Sequence, residues 1–190
     1  MEDFLKSSRG MSSKDWAIDV VVALVAFAAA CVQLMLTVSS IIIPDLALRQ
    51  YLGLVNIVPE FGVFVALAVT TFPLAVRRVF PWPVFLFVLV VHCAFQNVYT
   101  GLALSPAGLL VALFTVASER SVKEALVAAA LAMAGMILLP GSSVTQSMAV
   151  FVQIQNLGLI AAATAAGYGF RTHQAYVAET ERRAAEAERT

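Results

Sequence analysis

The chain has 190 residues, of which 61% are hydrophobic and 13% charged, and its formal net charge at pH 7 is zero. A typical soluble domain is about 45–50% apolar and about 25% charged, so a soluble globule of this size would leave a large apolar surface exposed. The balanced charge argues against a nucleic-acid partner. Cys31 and Cys93 lie in apolar runs, and their spacing indicates neither a disulfide framework nor a metal site.

The charged residues are concentrated at the two ends of the chain. Seven of the 24 fall in residues 1–19 and eight in residues 171–190, which leaves nine for residues 20–170. A membrane-spanning helix needs about 20 residues, so the middle of the chain has room for six passes with their connections. The sequence therefore predicts an all-α, polytopic membrane protein. It comprises a cytoplasmic lead-in (1–15), a transmembrane domain (16–170) and a charged cytoplasmic helix (171–190).

Apolar runs and chain breakers divide the middle of the chain into six predicted helices. Residues 39–60 mix prolines and charges with leucines, a pattern typical of an interfacial loop or a short amphipathic helix. Residues 171–190 contain neither glycine nor proline, so we expect the last helix to continue unbroken out of the membrane. The predicted helices are about Trp16–Val38, Phe61–Val76, Val84–Tyr99, Leu102–Ala117, Ala125–Leu139 and Gln146–Phe170.

The basic residues predict the orientation of these helices. With six passes and a cytoplasmic N-terminus, the segments inside the cell are 1–15, 77–83, 118–124 and 171–190. They hold eleven of the twelve basic residues, and only Arg49 lies outside. Because cytoplasmic loops carry an excess of Lys and Arg, this distribution favours six passes with both termini in the cytoplasm.

Few residues are candidates for chemistry. The sequence shows no paired carboxylates, no nucleophile beside a base, no phosphate-binding glycine loop and no metal-ligand cluster, so we expect no catalytic residues, no metal and no cofactor. His92 and Gln96 share a face of the third helix, and Gln153 and Asn156 lie in the sixth. These polar groups form either a ligand- or pH-sensitive site or interhelical hydrogen bonds that fix the packing.

Three segments resemble one family. Residues 72–81, FPLAVRRVFP, are similar to the "LPLALRRRFP" join between the second and third helices in the membrane domains of actinobacterial sensor histidine kinases. Residues 110–117, LVALFTVA, are similar to their "LVALYTVA" helix. Residues 171–179, RTHQAYVAE, resemble the "R..YLAELE" segment that leads from the last membrane helix into the kinase. The three segments occur in the family's order, and the group that they resemble is that of the nitrate- and desaturase-kinase-like sensors.

The resemblance implies a membrane-embedded input region in a bacterial cell membrane, which passes a membrane or envelope signal to a C-terminal kinase. In that family a box resembling "ERxRIARELHDVVAH" carries the phosphate-accepting histidine, and the sequence ends before any such box. The expected partners are membrane lipids, a second copy in the full-length protein and, through the kinase region alone, a response regulator. The alternative is the substrate-binding membrane subunit of a vitamin-type importer, which has a similar length and number of passes.

The charged tail is the segment that would carry a signal out of the membrane. Val177, Thr180, Ala184 and Ala187 occupy successive a and d positions, next to Tyr176, and predict a narrow seam for pairing with a second copy. Because such small residues bury little area, the seam would be weak, and weak pairing suits a switch between two arrangements. The alternative is a solvated single helix.

Overall fold

The computed structural model describes residues 12–38, 44–45, 47–48, 59–99, 104–138 and 146–187. These residues are helical or irregular and contain no β-strand. We number the six helices in chain order, and a short 3₁₀ segment, Phe72–Val76, follows the second of them. The helices are α1 (Ser13–Val38), α2 (Phe61–Thr71), α3 (Pro81–Val98), α4 (Ala107–Glu119), α5 (Val122–Leu138) and α6 (Gln146–Ala187).

Three helices begin earlier than the sequence predicted, each for a local reason. Helix α5 begins at Val122 instead of Ala125, because the hydroxyl of Ser121 caps its first turn. Helix α1 begins at Ser13 instead of Trp16, because Ser12 and Asp15 form a reciprocal cap: the Asp15 N–H donates to Ser12 Oγ (3.3 Å) and the Ser12 N–H to Asp15 Oδ2 (3.2 Å). Helix α3 begins at Pro81, three residues before the predicted start. A proline is tolerated in the first turn of a helix, where its missing N–H leaves no intrahelical bond unmade.

Helix α4 is shorter than predicted. The sequence predicted a start near Leu102, but Leu104, Ser105 and Pro106 are not helical, and the helix begins only at Ala107. Its 13 residues span about 20 Å, less than the hydrocarbon core of a bilayer. Leu104 and Ser105 are nonetheless buried, so irregular backbone lies inside the protein at this end of the bundle.

Helix α4 occupies the centre of the bundle. It contacts each of the other five helices, and the largest of its interfaces is with α6. Among the described helices, α6 packs on α4 and α5, and α1 packs on α2, the 3₁₀ segment and α4. The main core is formed by buried aliphatic and aromatic side chains of α1, α3, α4, α5 and α6, among them Phe85, Leu113, Ala128 and Ile160.

Two of the described helices are long and apolar enough to cross a membrane, judged by length and composition. They are α1, over Ser13–Leu36, and α3. Two other segments are apolar but shorter. They are α4 and residues Phe61–Val76, which comprise α2 and the 3₁₀ segment. Residues 1–11 and 140–143 lie outside the described residues, as does most of the predicted interfacial segment 39–60. The roles predicted for these segments stay predictions.

Candidate functional site

His92 lies in the interior of the bundle. Its side chain is on the buried face of α3 and is only 2% exposed. Within the described residues its Nε2 atom has no hydrogen-bond partner. Gln96, one turn further along α3, is half-buried, and its amide lies 3.5 Å from the carbonyl oxygen of Leu104, at the limit of hydrogen-bond distance. His92 thus lies in the interior, whereas Gln96 approaches the backbone before α4 and, within the described residues, forms no bond to the imidazole.

The polar residues of the sixth helix belong to a different region. Gln153 and Asn156 are half-buried on α6, and Asn156 Nδ2 lies 4.0 Å from the sulfur of Met136 on α5. Within the described residues α3 and α6 are not in contact. The four polar candidates therefore do not form one site: His92 and Gln96 lie on α3, and Gln153 and Asn156 lie on α6.

The tail predicted to carry a signal is the end of α6. This helix continues without a break from Gln146 to Ala187, a length of 42 residues. From Thr172 onward its side chains are exposed, with Tyr176 at 69% and Val177 at 37%. Along the tail, Arg182 pairs with Glu186 and Arg183 with Glu179 across one helical turn. Such exposed pairs contribute little stability, so the tail depends on α6 being anchored in the bundle.

The anchor is a close packing of α6 on α4. Buried residues of α6 recur at Ile160, Gly167 and the half-buried Arg171, and this face lies against α4. A Cβ atom on Gly167 would be 2.6 Å from the Cβ of Ala117 and 2.7 Å from the carbonyl oxygen of Phe114. Only glycine permits this approach of the two backbones. By contrast, a Cβ on Gly158 or Gly169 would meet nothing within 4 Å.

Charged groups form a layer at the end of the bundle from which the tail emerges. We call it the charged layer and define it as Asp15, Asp19, Arg77, Arg78 and Glu124. The Asp19 side chain is fully buried, and its Oδ1 accepts from Arg77 Nε (3.2 Å) and Nη2 (3.0 Å). Arg78 Nε lies 3.0 Å from the same oxygen, and its Nη1 is 3.5 Å from Asp15 Oδ1. Two carboxylates thus balance two guanidinium groups between α1 and the end of the 3₁₀ segment.

The same layer ties α3, α4 and α5 together. The indole N–H of Trp82 donates to Glu124 Oε2 at 2.7 Å, and Ser121 caps α5 through its hydroxyl, which bonds Glu124 Oε1 at 3.0 Å. Burial by itself raises the pKa of Glu124. The hydrogen bonds from Trp82 and Ser121 and the charge of Arg120 lower it by more than burial raises it, so the pKa lies below its ordinary value. Arg171 of α6 donates to the carbonyl oxygen of Arg120 at 2.6 Å, at the end of α4.

The burial of Asp19 was not predicted from the sequence. A signal was available, because Asp15 and Asp19 are four residues apart and share one face of α1. Two carboxylates on one face of an otherwise apolar helix require basic partners, and Arg77–Arg78 is the nearest basic pair in the sequence at the same membrane end. The pairing crosses 58 positions, so the spacing alone could not identify it.

Comparison of the chain with protein-family models, curated proteins and solved structures finds no match. The described residues also contain no group of three or more His, Cys, Asp or Glu side chains that could hold a metal ion.

Proposed function

We propose that this chain is the membrane-embedded input region of a sensor histidine kinase, with six transmembrane helices and both termini in the cytoplasm. The observation that carries the proposal is α6, which begins in the apolar bundle, packs closely on the central helix α4 and emerges as an exposed charged helix. A substrate-binding subunit of an importer has no need of such a helix. The resemblance of residues 72–81, 110–117 and 171–179 to kinase membrane domains supports the same reading.

The packing supports a route for the signal. A stimulus that moves α4 would displace α6 through two contacts. One is at Gly167, where the two backbones touch, and the other is at Arg171, whose guanidinium donates to the carbonyl oxygen at the end of α4. Because α6 is one continuous helix, a tilt or rotation at that level would displace its tail. At 100° per residue, Val177, Thr180 and the alanines of the predicted seam lie on the side of α6 that faces away from α4. A second copy could therefore pair along the seam while α6 stays in its own bundle.

The charged layer supports the orientation. Four of its five members (Asp15, Arg77, Arg78 and Glu124), with Arg171, come from segments that the charge distribution assigns to the cytoplasm, and Asp19 lies one turn after Asp15 on α1. Gly62 and Tyr99, which approach each other at the opposite end of α2 and α3, lie at helix ends that border the segments assigned to the outside.

Labelling of single cysteines in intact cells should test this topology. Cysteines in residues 1–11, at Arg78 and at Thr190 should react only after the membrane is made permeable, because those positions lie inside. A cysteine at Arg49 should react with an impermeant reagent from the outside. Protection of the N-terminus together with labelling of Thr190 in intact cells would contradict an even number of passes.

Disulfide trapping in a chimera tests the signalling role directly. We would join the full chain to the catalytic region of a histidine kinase, replace Cys31 and Cys93 with serine, and place one cysteine in the tail. Cysteines at Val177 or Ala184 should form covalent dimers several-fold faster than cysteines at Glu179 or Glu186. The locked dimers should also show an autophosphorylation rate that differs from that of the reduced protein.

The two glutamate positions are matched controls, since they are as exposed as the seam but point about a third of a turn away from it. Equal trapping at all four positions would mean that the tail has no defined seam. Efficient trapping with an unchanged phosphorylation rate would mean that the tail does not control a kinase, and the proposed function would be wrong.

A further inference from the structure

The first turn of α4 is partly buried, and two of its N–H groups lack hydrogen-bond acceptors. The Ala107 N–H is capped by the hydroxyl of Ser105 at 3.3 Å, and the first intrahelical bond runs from the Leu110 N–H to the Pro106 carbonyl. Among the described residues, no acceptor pairs with the N–H groups of Gly108 and Leu109, which are both buried. A helix that begins at the surface leaves such groups to water, but α4 begins inside the protein.

The packing of α3 on α4 brings His92 to the level of this turn. Gln96 reaches the carbonyl of Leu104, which fixes the register of α3 against the chain that leads into α4. His92 is four residues earlier on the same face of α3, about 6 Å deeper in the bundle. Because α3 and α4 run in opposite directions and pack on each other, that depth corresponds to Gly108, four residues after Leu104. The unpaired Nε2 and the two unpaired N–H groups therefore lie at one level of the bundle.

Helix α2 closes the region from the other side. A Cβ on Gly108 would be 2.3 Å from the carbonyl oxygen of Thr70, so α2 and α4 touch through their backbones at this depth. The hydroxyl groups of Thr70 and Thr71 are used within α2, where each donates to a carbonyl of the preceding turn. They are therefore not donors to His92.

The chemistry selects an uncharged ligand group that both donates and accepts. The carboxylates of the described helices packed against α3, which are α2, α4 and α5, are Glu119 and Glu124. Both lie near the Trp82 end, about 15 Å from His92 along the helix axis. Glu60, which precedes α2, is exposed, so a charged imidazole would have no buried counter-ion among the described residues, and the positive pole of the α4 N-terminus would oppose it. An anion would find the two N–H groups but no basic side chain.

We propose that His92 and the first turn of α4 form a binding site for one hydroxyl group, supplied by water or by a lipid hydroxyl. The hydroxyl donates to Nε2 of His92 and accepts from the N–H of Gly108 or Leu109, which satisfies groups on two helices at once. The site holds the beginning of α4 against α3, at the opposite end of α4 from its contact with Arg171. It does not depend on the kinase proposal and would operate in any membrane protein with this packing.

Solid-state NMR of the ¹⁵N-labelled chain in vesicles tests the site. A His173→Gln background leaves His92 as the only imidazole in the spectrum. Vesicles of phosphatidylcholine contain no lipid hydroxyl, so water is the probe, and phosphatidylglycerol vesicles add a lipid hydroxyl. We expect cross-peaks from one hydroxyl proton pool to His92 Nε2 and to the amide of Gly108 or Leu109. Signals in both lipids would identify water, and signals in phosphatidylglycerol alone would identify the lipid.

Substitution then tests whether the hydroxyl is shared. His92→Leu should reduce the cross-peaks at the Gly108 and Leu109 amides at least fivefold. Asn97→Leu, at an exposed position whose side chain bonds only its own helix, should leave them unchanged. The absence of cross-peaks in both lipids, or amide cross-peaks that persist in His92→Leu, would overturn the proposal. If His92→Leu does not fold, the wild-type spectrum decides, because a signal at His92 without one at either amide would also overturn it.

Discussion

Replacing Asp19 with asparagine should lower the free energy of unfolding by about 3–5 kcal/mol, the usual effect of removing one partner from a buried ion pair. Asp19 is fully buried, and the guanidinium of Arg77, with a side chain only 9% exposed, donates to it twice. Asparagine keeps the shape but removes the charge, so Arg77 would be left as an uncompensated cation inside the protein. The measurement is chemical unfolding of the purified chain in mild detergent micelles.

Asp15→Asn is the matched control for this experiment. It changes the net charge by the same amount, one helical turn away on the same helix, and its amide oxygen can still cap Ser12. Asp15 is 40% exposed and lies 3.5 Å from Arg78, so the loss should be about 1 kcal/mol or less. Asp19→Asn combined with Arg77→Gln should recover part of the stability, because neither charge is then left alone. Equal losses for the two asparagine variants would contradict the ion pair as the anchor of the charged layer.

Much of the helical content followed from the sequence because it depends on local signals. Apolar runs of 15 or more residues between breakers predicted six helices, and six are observed in the described residues. The errors lie at the ends, where short-range chemistry decides: the Ser12–Asp15 cap extends α1, and proline opens α3. Residues 104–106 interrupt the predicted fourth helix, because backbone that is buried among other helices need not be helical.

The candidate site was less predictable because it depends on which helices touch. The interior position of His92 follows from the cost of a polar ring in an apolar environment, which applies in any arrangement of the helices. The separation of His92 from Asn156 does not follow from this cost, because it depends on which helices touch, and α3 and α6 are not in contact within the described residues. The roles of the glycines are likewise invisible in a sequence rich in small residues. Gly167 and Gly169 are two residues apart, yet one is pressed against α4 and the other is open.

This contrast predicts that alanine substitutions at the two positions will change stability in opposite directions. Gly169→Ala should raise the free energy of unfolding by up to about 1 kcal/mol, because alanine is the better helix former and the new methyl group meets nothing. Gly167→Ala gains the same helix propensity but places a methyl group 2.7 Å from the carbonyl oxygen of Phe114. Overpacking of this kind typically costs about 1–3 kcal/mol, so the net effect should be a loss.

The difference between the two variants isolates the packing of α6 on α4, because the change in helix propensity is common to both. It should amount to about 1–3 kcal/mol in unfolding measurements. Gly158→Ala, at a third open position of the same helix, should behave like Gly169→Ala. In the kinase chimera, Gly167→Ala should also shift the autophosphorylation rate, because α6 must move away from α4 to admit the methyl group, whereas Gly158→Ala should leave that rate unchanged. Equal stability of Gly167→Ala and Gly169→Ala would show that α6 is not held against α4 at this point, and the route through that contact to the tail would have to be abandoned.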